Sequence, residues 1–464
     1  MDDCLRRTIS IALSFGAKQV ETFMSKTRAI SVSFDDNRLR GSEVRNDAGI
    51  GIRTVISNGK GASLGSSFTM NFSINALKAA AKAAVAVARV KRPEYPFTSF
   101  EANTKRRPEI PRLVDAKVKE VDVPSIINLV SSIIKAANKS QRVRSVRGDV
   151  TLSYSRISFR NSLGVKCGYD STLFQVVVAV AAKWDGSQGF AYDGFVSRYF
   201  RAEKAVELAE NVADLAISQL KPKPFKTGKI ATILGPDALE GLSESILQFA
   251  LRGDYVHRKQ SCMSDRLGKQ VADSSFSLFD DGTLPGYVGS KPFDDEGHPV
   301  TKKGIVECGI LRRYLDDLTT SDQGGRGDGR DGGNALRISS PDLTKKYEME
   351  PQIVPHNLII KAGTEKLDDV IAQVRKGILV RSLLGSHTAN RVTGEFSVVP
   401  QMAYMILNGE IRYPISQAVI SGNILVMLKG IRSIGRELTH YQSISGDSSF
   451  TAPSILVEGL RVTR

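Results

Sequence analysis

The sequence predicts an α+β protein: an N-terminal α/β region of two sub-blocks, followed by a mostly antiparallel β C-terminal domain with a few helices. Three observations carry this. The chain has 464 residues, enough for two or three domains at about 150 residues each. Alternating apolar runs bounded by turn dipeptides such as Asn58-Gly59 and Asn408-Gly409 mark strands and hairpins. Proline-rich breaks interrupt the pattern twice and divide the chain into blocks 1–107, 108–222 and 223–464.

Residues 3–16 place Leu5, Ile9, Ala12, Leu13 and Phe15 in a helix stopped by Gly16. Strand-like runs follow at 20–24, 29–34 and 51–57, then an Ala-rich helix over 74–90. Pro93, Pro96, Pro108 and Pro111 make the first connector. Asp122 is placed to cap an apolar helix that ends near Ala137. Two strands, one around Val150, Leu152 and Tyr154 and one over 172–182, flank a turn at 161–164. The helix at 201–220 aligns Ala205, Leu208, Val212, Leu215 and Ala216 on one side before Lys221-Pro222-Lys223-Pro224 breaks the pattern. In the last block one helix follows Gly235-Pro236-Asp237 and another runs over 364–376, with Gly377 as its stop. Runs 396–407 and 410–420 read as a hairpin about Asn408-Gly409.

Composition narrows the chemistry. Hydrophobic residues at 41% and charged residues at 24% exclude wholesale disorder. No apolar stretch reaches about 18 residues, so no membrane-spanning helix is expected. Lys and Arg exceed Asp and Glu by 15, which invites a polyanion partner. The basic clusters sit mostly in proline-rich connectors, however, and no reading helix, RNP-type strand or zinc finger accompanies them, so nucleic acid is not favoured. The four cysteines are scattered without a C-x-x-C, and Met1-Asp2-Asp3-Cys4 reads as a helix start, not a signal peptide. A cytoplasmic protein is the expectation. The five histidines never come closer than 31 positions, so no helix holds an imidazole pair.

Few residues stand out as chemical candidates. Residues 321–334 contain six glycines but no following Lys-Ser/Thr, so a surface loop or lid fits better than a phosphate cradle. The clusters Asp280-Asp281-Gly282 and Asp294-Asp295-Glu296-Gly297 suit two readings, as turns or as carboxylates for a hard cation or acid–base work. His298 and His387 lie in polar loops, and Cys262 and Cys308 lack the partners of a reactive thiol.

Several stretches stand out together: Gly16-Ala17-Lys18-Gln19-Val20-Glu21, Gly49-Ile50-Gly51-Ile52-Arg53, Asn161-Ser162-Leu163-Gly164, Asp280-Asp281-Gly282-Thr283-Leu284-Pro285-Gly286, Pro292-Phe293-Asp294-Asp295-Glu296-Gly297, residues 385–390 with Gly394-Glu395-Phe396-Ser397, and Ala452-Pro453-Ser454-Ile455-Leu456. Together they resemble the TldD/PmbA family, the modulator-of-gyrase group of cytosolic metalloproteases. Their order and spacing, more than any one of them, carry the resemblance, which spans nearly the whole chain.

The family pairs two related subunits. One holds zinc through an H-E-x-x-x-H helix completed by a late cysteine; the other shares the fold without that motif. Placed on this sequence, the zinc helix falls at Ser243-Glu244-Ser245-Ile246-Leu247-Gln248, and no cysteine follows Cys308. Serine and glutamine are neutral, weak donors that do not hold zinc. Ligands five apart on an ideal helix diverge by about 140°. The zinc motif therefore needs a distorted helix, whereas Leu239, Leu242, Ile246 and Phe249 predict a regular, structurally packed one here. The resemblance thus implies a non-zinc, TldE-like subunit with no catalytic residues and no cofactor of its own. Its partner would be a zinc-bearing TldD-like chain in a heterodimer, or a second copy in a homodimer, and its substrate peptide or unfolded protein. Asp294, Asp295, Glu296, Gly297, His387 and Asn390 become substrate-groove candidates. The alternatives are a peptidase active by itself through a cation at the acidic loops, and a basic nucleic-acid-associated factor.

Overall fold

The computed structural model describes residues 2–57, 62–91, 97, 99–102, 104–225, 227–321, 332–338, 345–442 and 448–464. The Asn58-Gly59 turn and most of the glycine-rich 321–334 segment lie outside the described residues. The protein is α+β.

One six-stranded antiparallel sheet joins the two N-terminal blocks. Its strands are β1 (Gln19–Asp35), β2 (Arg38–Ser57), β3 (Ala62–Thr69), β4 (Val143–Asn161), β5 (Lys166–Trp184) and β6 (Ser187–Ser197), in the order β3-β2-β1-β4-β5-β6. The runs expected at 20–24 and 29–34 are one continuous strand. The polar residues between them stay in the sheet because β4 supplies partners, as Thr27 Oγ1 to Ser155 Oγ at 2.9 Å shows.

Helices α1 (Asp2–Ser14) and α2 (Ile74–Val90) cover one end of the sheet, burying Leu5, Ile9, Leu77, Ala81 and Ala84 against Val20, Ile50 and Ile52. After the short α3 (Ala116–Glu120), α4 (Val123–Ala137) and α5 (Ala202–Ser218) cover the rest of the same sheet. Asp122 caps α4 by accepting the Ser125 N–H at 3.0 Å. Ile126, Val130, Ile133, Val212 and Ala216 meet Val150, Val176, Val178 and Val180. With a period of two, Val177 and Ala179 then point to the opposite face.

Among the described residues the C-terminal domain holds three further sheets, of ten, six and two strands. Most of their pairings are antiparallel; the strand Ala231–Leu234 runs parallel to Lys376–Leu384, and Asn357–Ile360 to Ser449–Ala452. Strands Glu395–Leu407 and Glu410–Ser416 form the expected hairpin, with Asn408 and Gly409 at φ 52° and 78°, the left-handed pair a two-residue turn requires. The helix expected over 364–376 is shorter, Leu367–Ala372. Gly377 is not its stop but a strand residue, where a Cβ would come within 2.5 Å of the Ala231 carbonyl oxygen. No described helix is long and apolar enough to cross a membrane.

The C-terminal domain meets the N-terminal sheet through β2. A Cβ on Gly49 would lie 2.4 Å from the Tyr347 ring, and one on Gly51 2.5 Å from the Tyr347 carbonyl oxygen. Glycine at both positions lets the strand approach that closely.

Candidate functional site

The acidic segment 294–297 does not line a groove. Asp294, Asp295 and Glu296 are 0%, 2% and 1% exposed, sealed where the C-terminal domain meets β1 and β2. Asp294 accepts the backbone N–H groups of Glu296, His298 and Ala335 at 3.0, 2.9 and 3.1 Å. Burial, reinforced by the neighbouring Glu296, pushes its carboxyl above the usual range. Asp295 accepts the Arg337 N–H at 2.6 Å. Glu296 takes Arg53 Nη1 at 2.9 Å on one oxygen and the Leu318 N–H at 2.9 Å on the other. The same Arg53 nitrogen reaches Glu21 at 2.9 Å, and Arg337 reaches Glu21 at 3.2 Å, giving two buried carboxylates for two buried guanidiniums. Gly297 offers its carbonyl to Arg107, and His298 Nδ1 lies 2.7 Å from Glu101.

The other acidic turn is equally occupied. Asp280 accepts the backbone N–H groups of His356 and Asn357 and the Asn334 amide, while Asp281 closes a turn on Thr283. These carboxylates organise loops, as buried polar groups must when they have partners. A cation there would have to displace them.

The helix aligned by resemblance with the zinc motif lies elsewhere. Gly235 leads into α6 (Pro236–Leu242), whose helical course continues through a π-turn, Ser243–Leu247, into Gln248–Ala250. The regular helix expected here is therefore not found. In the π-turn the Gln248 N–H bonds to the Ser243 carbonyl, five residues back. Positions 243 and 248 are thereby stacked one turn apart. Packing accounts for the helix's burial: Leu239, Leu242, Ile246, Leu247 and Ala250 all enter the main core.

Ser243 is buried, its Oγ has no hydrogen-bond partner among the described residues, and it borders a cavity of about 20 Å³ whose other described walls are apolar. Ser243, Glu244 and Gln248 are not a zinc donor set. Among the described residues no group of three or more His, Cys, Asp or Glu side chains is placed to hold a metal. The residues present do not fit zinc.

His387 and Asn390 come to this helix while the acidic segment does not. His387 sits in the short 3-10 turn Ser386–Thr388, where a Cβ on Gly241 would lie 3.3 Å from Ser386 Oγ. Asn390 shapes the following loop by accepting the N–H groups of Val392 and Thr393. Arg391 stacks 3.7 Å over Phe249 at the helix end. Both His387 and Asn390 are exposed.

A cavity of about 210 Å³ opens at the start of α6, between the central and C-terminal parts. Tyr192 and Asp193 of β6, Asp237 of α6, Arg381 and Tyr441 are among its walls. Burial, then Asp193, raises the Asp237 carboxyl to about 7; burial, then Glu244 and Asp237, raises Glu240 to about 8. Burial raises Asp193 as well, against the pull of its bond from the Gly194 N–H. Tyr192, Asp193, Asp237, Glu240, Arg381 and Tyr441 are not among the candidate site residues read from the sequence. The available signal was three acids at 237, 240 and 244, spaced three and four apart on one helical face.

Because both folded-state values lie above those of the free carboxyls, the native protein holds protons the unfolded chain has lost. That contribution is complete below pH about 4 and disappears as pH rises through 7 to 8. Asp237→Asn with Glu240→Gln is therefore expected to raise stability by a few kcal/mol at pH about 9 and by only a minor fraction of that at pH about 5. Urea unfolding at the two pH values reads this out; an equal effect at both would refute it.

The fold and this arrangement belong to a known class, the three-domain metallopeptidases. Residues 20–88 match the model of PmbA/TldA metallopeptidase domain 1, residues 116–220 that of the central domain, and residues 227–464 that of the C-terminal domain. The chain belongs to the PmbA/TldD metallopeptidase family. It is 27% identical to a metalloprotease PmbA homolog of Haemophilus influenzae, over 99% of this chain and 96% of that one. It is also 25% identical to a metalloprotease TldD homolog of Buchnera aphidicola, over 87% and 82%. The crystal structure of TldE from Thermococcus kodakarensis superposes with a TM-score of 0.87 at 21% identity, covering 99% of this chain and 100% of that one. At that identity the likeness speaks for the fold alone.

Proposed function

We propose that this chain is the non-zinc, TldE-like subunit of a two-chain cytoplasmic metalloprotease that acts on peptides and unfolded proteins. In this reading a zinc-bearing sister chain does the chemistry and this chain supplies structure around the substrate. One observation carries it. The helix with the family's zinc-motif position has a π-turn that stacks residues 243 and 248, yet presents a buried serine and a glutamine there. The absence of any cysteine beyond Cys308 and four free cysteines overall agree with it, the latter suiting a reducing compartment. The burial of 294–296 counts against a self-sufficient peptidase using a cation at the acidic loops.

The purified chain is expected to hydrolyse none of a panel of unstructured peptides, with or without added zinc. Co-purified with an H-E-x-x-x-H relative from the same genome, it is expected to yield an active pair that a chelator inactivates. Stoichiometric zinc together with peptidase activity in the isolated chain would refute the reading.

A further inference from the structure

We propose that the chain carries a peptide-docking trough of its own, which takes an extended segment and seats a lysine or arginine side chain of it at a carboxylate-lined end. The proposal rests on the peptide-handling reading above and gives it a place and a charge preference.

The trough lies on the face of the N-terminal sheet that α4 and α5 leave open. It has a volume of about 780 Å³, within the range of about 300–1,000 Å³ typical of ligand sites. Its floor is apolar: Val177 and Ala179 of β5, Phe190 and Tyr192 of β6, and Leu384 from the C-terminal domain. Val177 is 36% exposed and Leu384 57%, so two large aliphatic side chains face water there. An open apolar floor with polar lips suits a chain segment whose side chains alternate.

Tyr192 is a wall of both this trough and the 210 Å³ cavity at the start of α6, so the two adjoin. Charge is unequal along the path. The far lip carries Arg147, stacked 5.6 Å over Phe190, with Asp149, and Arg40, paired with Asp35, so its charges balance. The cavity end has Asp193 and Asp237 in its walls, with Glu240 one turn further along the helix. Arg381 is the cation among the cavity's described walls, Lys204 also acts on Asp193, and the wall residue Glu437 is ion-paired with Arg436. Carboxylates here outnumber cations; burial raises the proton affinity of Asp193, Asp237 and Glu240, and neighbouring carboxylates add to it at Asp237 and Glu240. A cationic side chain entering this end would gain attraction in a partly desolvated setting. An acidic one would meet repulsion. The path runs to the first turn of the helix that ends in the π-turn, so a segment held here would be delivered beside that helix.

The test uses the full chain and three labelled peptides of about twelve residues with one apolar sequence, differing only in a central lysine, norleucine or glutamate. Fluorescence anisotropy at pH about 8 is expected to show the lysine peptide binding about tenfold more tightly than the glutamate peptide. Asp193→Asn with Asp237→Asn should bring that ratio to within about twofold while leaving the norleucine peptide unchanged. Val177→Asp should weaken all three. Equal affinities, no binding of any peptide, a preference that survives the double substitution, or displacement by a polyamine as effective as by unlabelled lysine peptide would each overturn the proposal. Should the double variant not fold, the ionic-strength dependence of the unmodified chain decides. The lysine-to-glutamate ratio should shrink between about 50 and about 500 mM salt, and a flat ratio overturns the proposal. An active pair with a charge-blind trough would remove this inference alone. A charge-selective trough on a chain that never forms an active pair would remove the subunit reading alone.

Discussion

Replacing Arg53 by alanine is expected to destabilise the protein by about 3–5 kcal/mol, because it strands Glu296 in the interior and leaves Glu21 with Arg337 alone. Arg53 is buried, and a single one of its nitrogens serves both Glu21 on β1 and Glu296 in the acidic segment, each at 2.9 Å. Burial works against the charge of the guanidinium, but Glu21 and Glu296 outweigh it and hold the proton more firmly than in free arginine. For Glu21 the balance goes the other way. Burial raises its carboxyl despite Arg53 and Arg337, so removing Arg53 would push it to take up a proton. Urea unfolding at neutral pH measures the loss, and Arg53→Met combined with Glu296→Gln should lose distinctly less because fewer charges are left unpaired. Equal stability of the single and paired variants would refute this role for the buried network.

The second large effect is expected at Asp294. Its replacement by alanine leaves the backbone N–H groups of Glu296, His298 and Ala335 without their acceptor in a sealed region. At about 1–3 kcal/mol for each buried unsatisfied group, with partial relaxation, the loss should be on the order of 4 kcal/mol. Thermal unfolding would register it directly. This outcome also separates two roles for the carboxylate. A cation-binding Asp294 could be neutralised with little effect on unfolding, whereas a loop-organising one cannot be removed without it. An unfolding temperature unchanged by Asp294→Ala would reopen the cation reading.

Much of the fold was legible because its signals are local. Helix α2 begins and ends where the alanine-rich pattern does, and the Asp122 cap and the Asn408-Gly409 turn depend on neighbours a few positions away. What was hidden depends on distant partners. The polar stretch between the two expected strands of β1 stays in the sheet through hydroxyl contacts with β4. The acidic segment looked like turn or groove because the groups that satisfy it, Arg53 and the N–H groups of Ala335, Leu318 and Arg337, come from elsewhere in the chain. The π-turn escaped for a different reason. Apolar spacing of three and four is satisfied equally well on either side of a single widened turn, so the pattern of Leu239, Leu242 and Ile246 does not report it.

The continuous N-terminal sheet has a kinetic consequence. β1, in its interior, must find β4 across contacts such as Thr22 with Arg160 and Ser31 with Thr151, separated by 138 and 120 positions. Chain closure over such distances is paid before the pairing returns anything, and topologies of this kind fold slowly. During synthesis, β1 and β2 emerge well before β4, so β1 keeps one edge open until the central segment arrives. A ribosome paused near residue 140 would display a long, partly apolar hairpin with an unmatched side, the species most in need of chaperone cover.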